Sequence, residues 1–124
     1  MNLQELAKKI NACVDDVDLV AARKYMEENK TILVENKSLL RRNARELFDF
    51  LLNSSESDSK PLSREEVAAT NAINLYASRF DIRGLKIAVK NHSELLLRED
   101  ITPYLNKDAR ILLEGMGAIQ KAAN

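Results

Sequence analysis

The second half of this chain reads as a copy of its first, and that self-similarity restricts the fold more than any other feature. At an offset of 63, Ile10, Asn11, Asp18 and Leu33 fall on Ile73, Asn74, Asp81 and Leu96. At 65, Leu40, Ala44, Arg45 and Leu47 fall on Leu105, Ala109, Arg110 and Leu112. Conservative pairs extend the match, among them Leu19 with Ile82, Arg23 with Lys86, Met26 with Val89 and Arg42 with Lys107. Self-similarity at a fixed period marks chains built from stacked supersecondary units. The expected organisation is one domain over 1–124, with a first repeat at 1–53, a polar linker at 54–61 and a second repeat at 62–124. Tetratricopeptide and ankyrin units, at about 34 and 33 residues, are too short to match. Two copies are also fewer than an open solenoid needs, so the units are expected to close on one another or to form a homodimer.

Each unit carries the spacing of amphipathic helices. Leu3, Leu6, Ile10, Cys13 and Val17 recur at steps of three and four, behind an Asn2–Glu5 pair placed to cap a helix. A second helix starts from Asp15 or Asp16 and carries Leu19, Ala22 and Met26, and Thr31 opens a short turn. A third follows Ser38 with Leu40, Ala44, Leu47, Phe48 and Leu51 on its face. Beyond the polar run Asn53–Pro61, expected to be mobile, Ser63 and Glu66 form a capping box, with Leu62 and Val67 as its hydrophobic staple. The fourth helix is expected to present Ala69, Ile73, Tyr76 and Phe80, and the fifth Ile82, Leu85, Ala88 and Val89. Gly84 stands where the first unit has Ala21, which suggests a close helix approach at both places. Thr102-Pro103 is read as the start of a sixth helix bearing Leu105, Ala109, Leu112, Leu113 and Met116. The fold class is therefore all-α, with about six helices.

Composition narrows the function classes. Apolar residues make up 45% of 124, enough for a core without staples. Three Gly and two Pro are too few for the turns of an all-β chain. Nineteen basic and nineteen acidic residues cancel, which disfavours whole-molecule steering to nucleic acid or an anionic membrane. The single Cys13 fits a reducing compartment, and no apolar run is long enough to span a bilayer. A cytoplasmic protein without membrane contact is the expectation.

Little in the chain suggests catalysis. Cys13 lies on an apolar stripe and reads as a structural thiol, while His92, the one histidine, falls at the expected end of the fifth helix. One Cys and one His leave no soft-ligand metal set. Asp15, Asp16 and Asp18 lack the glycine and distal glutamate of a calcium loop. Glu65 and Glu66 suit a helix first turn, with no second carboxylate placed opposite them by sequence. No glycine-rich phosphate loop is present. No catalytic residue, cofactor or metal is assigned.

The repeated block Arg42-Asn43-Ala44-Arg45 and Lys107-Asp108-Ala109-Arg110 is the one constellation that stands out. Arg45 and Arg110 can pair with Asp49 and Glu114 four residues on, with the repeated Asp18 and Asp81, or with a carboxylate or phosphate on a partner. Arg41, Arg42, Arg45, Lys107 and Arg110 are the candidate partner-binding residues. The function expected is a non-catalytic protein-interaction or regulatory adaptor module. The alternative is a nucleic-acid-associated regulator using the basic flank Lys37 to Arg45, and a third, weaker reading is an enzyme with a carboxylate site.

Overall fold

The computed structural model describes residues 2–53, 61–98 and 100–121, and among them it is helical with no strand. Asn2 Oδ1 accepts from the Glu5 N–H at 2.8 Å and starts α1 (Leu3–Asp15). Then come α2 (Leu19–Glu28), α3 (Lys30–Glu35), a 3-10 turn (Lys37–Leu39) and α4 (Arg42–Asn53). Ser63 and Glu66 close their capping box, with bonds of 2.9 and 3.1 Å, and begin α5 (Arg64–Ser78). Next are α6 (Ile82–Asn91), α7 (Ser93–Leu96), a second 3-10 turn (Thr102–Tyr104) and α8 (Lys107–Met116). The linker expected at 54–61 lies, but for Pro61, outside the described residues.

Equivalent elements begin or end at the offsets seen in the sequence. Both α2 and α6 span ten residues, 63 apart, and α1 and α5 end 63 apart. The 3-10 turns, and the starts of α4 and α8, are 65 apart. Local bonds recur as well. Asn11 donates to the Leu39 carbonyl (3.4 Å) and accepts from the Arg41 N–H (2.8 Å), and Asn74 does the same with Tyr104 (3.0 Å) and Asn106 (2.9 Å). α1 and α5 each end in a left-handed residue, Val17 at φ 55° and Phe80 at φ 57°. After them Asp18 donates to the Cys13 carbonyl and Asp81 to that of Tyr76, the six-to-one bond of a Schellman turn.

One apolar core draws on both halves. Among the buried apolar positions of the first half, only Val17, Leu19 and Leu47 have equivalents outside the buried set, namely Phe80, Ile82 and Leu112. Within each half the first helix packs on the second and on the last. Between halves α4 packs on α7, the Val20 N–H donates to the Gly117 carbonyl (2.9 Å), and Arg23 reaches the Leu97 carbonyl (3.5 Å). Gly117 ends α8 at φ 82°, where a Cβ would also sit 2.3 Å from Asp18 Oδ1.

Several elements depart from the sequence-based expectation. The last helix of each half starts later than expected, because a 3-10 turn intervenes. Thr102-Pro103 opens that turn, while Asn106 caps α8 by accepting from the Ala109 N–H at 2.8 Å. The second helix begins at Leu19, not at Asp15 or Asp16, since the left-handed Val17 first reverses the chain. Phe80 lies beyond α5 and is 72% exposed, so it is no part of a buried face. Leu62 packs against the core while Val67, its expected staple partner, stays 43% exposed. The close approach inferred at Gly84 is real: a Cβ there would meet the Tyr76 ring at 2.7 Å.

Candidate functional site

The five sequence-nominated basic residues divide between the two halves. Arg41, just before α4, and Arg42, its first residue, line a small pocket of about 160 Å³ together with Asn11, Val14, Asp15, Asn43 and Ala44. Arg41 occupies the place that Asn106 fills before α8. Lacking an acceptor, its side chain cannot cap, and Nη1 turns instead to Asp15 Oδ2 at 2.8 Å. Arg42 pairs with Glu46 at 3.1 Å. Arg45 is half-buried on α4; Lys107 and Arg110 are exposed on α8 and do not line this pocket.

Of the acids expected to engage the repeated arginines, Asp49 and Asp81 are engaged elsewhere, and Asp18 and Glu114 make no ion pair among the described residues. Asp49 has Lys37 Nζ 2.7 Å from Oδ1, a charge contact without an aligned hydrogen bond. Asp81 caps α6 by accepting from the Gly84 N–H at 2.9 Å, and Asp18 lies against Gly117. Among the described residues neither Arg45 nor Arg110 makes an ion pair. In the flank from Lys37 to Arg45, Lys37, Arg41 and Arg42 each have an acid beside them.

A larger groove, of about 400 Å³, opens between the halves. Its walls are α4 (Asn43, Glu46, Leu47), the first turn of α5 (Glu65, Glu66) and the α6–α7 corner from Lys90 to Leu95. Each wall has a local cause. The capping box sets Glu65 and Glu66 at the start of α5, where acids offset the positive end of the helix dipole. The corner forms because α6 ends at His92 and α7 begins at once, with Ser93 Oγ donating to the carbonyls of Val89 (3.2 Å) and Lys90 (3.1 Å). Beneath the groove Leu47 and Leu95 are buried in the core, where α4 packs on α7.

Carboxylates dominate this groove. The Glu66 carboxyl sits below its ordinary value, chiefly because it accepts from the Ser63 N–H, with Arg98 adding to the effect at 3.3 Å. Arg98 also holds Asp100 at 2.8 Å, and its own proton is bound more tightly for it. Glu94 goes the other way: partial loss of hydration raises its carboxyl, and the negative charge of Glu46 raises it further. Sequence reasoning treated Glu65 and Glu66 as first-turn acids with nothing opposite. The structure brings Glu46 and Glu94 to the same groove, and no local spacing could have signalled that, because the residues come from three separate helices.

Cys13 is half-buried against the core, and burial, followed by Asp18 and Asp16, pushes its thiol up, which disfavours the reactive thiolate. Among the described residues no group of three or more His, Cys, Asp or Glu side chains is placed to hold a metal ion, and no helix is long and apolar enough to cross a membrane. Comparison with protein-family models, with curated proteins and with solved structures gave no match.

Proposed function

We propose that this protein is a non-catalytic helical adaptor, built from two copies of one unit, that holds a segment of another protein in the groove between its halves. The groove itself carries the reading. It spans several helices, measures about 400 Å³ and presents polar and charged walls around a concave surface, the setting that peptide recognition uses. Catalysis has less support, because the Ser93 hydroxyl proton is committed to backbone carbonyls, and Glu46 and Glu66 are engaged by arginines. The nucleic-acid reading has less too: three of the flank's four cations, Lys37, Arg41 and Arg42, already face Asp49, Asp15 and Glu46, which leaves Arg45 alone for phosphate.

Photo-crosslinking tests the proposal. A photoreactive side chain placed at Asn43 or Asn91, inside the groove, is expected to capture one and the same protein, while one at Glu28 or Ile111 captures none of it. Equal capture from all four positions, or capture from the outer pair alone, would remove the groove as the binding surface.

A further inference from the structure

We infer that the segment seated in this groove is basic, carrying lysine or arginine side chains; the inference rests on the protein-binding reading above. Charge pairing selects this occupant. Glu46 is matched by Arg42 at 3.1 Å and Glu66 by Arg98 at 3.3 Å, while Lys90 extends to Asp15 at 3.7 Å. With those pairs set aside, Glu65 on α5 and Glu94 on α7 are left, and among the described residues neither has an ion-pair partner.

The two carboxylates stand on different elements of one concave surface whose lining also includes Leu47 and Leu95. Glu94 is exposed but has given up part of its hydration, and the like charge of Glu46 raises its carboxyl further. A lysine or arginine entering between α5 and α7 supplies the missing counter-charge. An acidic segment, a nucleic acid or an anionic lipid surface adds a like charge instead, and juxtaposed like charges exclude wrong partners strongly. The groove is thereby selective by sign.

The experiment uses two labelled amphipathic peptides of about five helical turns, identical in their leucines and differing only in lysine or glutamate on the polar face. Fluorescence anisotropy is read on the full chain, on Glu65→Gln/Glu94→Gln, on Glu65→Lys/Glu94→Lys and on the off-groove pair Asp108→Lys/Glu114→Lys, with circular dichroism to verify that each variant is folded. The lysine peptide is expected to bind about tenfold or more tightly than the glutamate peptide, to lose at least about tenfold on charge reversal in the groove, and to be nearly unaffected off it. Equal affinity for both peptides, or equal loss from the groove and off-groove pairs, overturns the inference. If Asn43 and Asn91 crosslink a natural partner whose binding ignores both groove variants, the adaptor reading stands and the basic occupant does not. If they crosslink nothing, the adaptor reading itself has failed.

Discussion

Val17 and Phe80 share one backbone conformation and opposite surroundings. Both are left-handed, at φ 55° and 57°, where an L side chain costs about 1–2 kcal/mol. Val17 is 1% exposed, so its burial, worth about 1.5–3 kcal/mol, offsets the strain; Phe80 at 72% exposed gains little. The same replacement should therefore have opposite signs. Phe80→Gly is expected to raise stability by about 0.5–1 kcal/mol and Val17→Gly to lower it by about 1 kcal/mol, both read from urea unfolding midpoints. Two stabilising substitutions would show that the Val17 side chain packs poorly. At this scale the sequence disclosed the caps at Asn2 and Ser63, because capping depends on neighbours three residues away. It could not disclose the left-handed turns, which neither Val nor Phe announces as a glycine would.

Arg98 ties the start of α5 to the turn at Asp100, with its side chain 13% exposed between Glu66 and Asp100. Both acids sit below their ordinary values of 4.5 and 3.8, so each contributes stability that is present above those values and lost as pH falls through the lowered ones. Thermal melts should show stability dropping below about pH 4, and Arg98→Met should flatten that slope while costing about 1 kcal/mol at neutral pH. An unchanged slope would place the acid response elsewhere. The helix pairs offer a second check. By offset, Cys13 and Ala21 in the first half correspond to Tyr76 and Gly84 in the second, a small–larger pair exchanged for a large–smallest one. Gly84→Ala, despite a propensity gain of about 1 kcal/mol, is expected to be destabilising, because the Tyr76 ring is 2.7 Å from the new Cβ. Adding Tyr76→Cys should restore part of the loss, and a double variant no better than the single would mean that the two positions do not compensate. The helix faces were legible from spacing, and so was the glycine contact. The 3-10 turns were not, since Leu40 and Leu105 continue the apolar period of the helices that follow them and are buried without being part of them.

Over the whole molecule, the two halves meet through α4 against α7 and through α2 against Leu97 and Gly117, and the groove lies where their outer edges part. The self-similarity and the matching element offsets could be read because they are properties of the string. Which side chains line the junction could not, because Glu46, Glu65 and Glu94 meet only once the halves are packed. Beyond α8, Ala118 and Ile119 are turned inward, at 2% and 7% exposure. Outward-facing apolar residues are concentrated elsewhere in the second half, at Leu75, Ile87, Tyr104 and Ile111. They are the competing sites. Amide chemical-shift mapping of the labelled chain, titrated with its crosslinked partner or with the lysine peptide, separates the two most directly. The perturbed amides are predicted to cluster at Asn43–Leu47, Glu65–Glu66 and Lys90–Leu95; a cluster around Leu75, Ile87 and Ile111, with those three segments silent, would contradict the groove as the working surface.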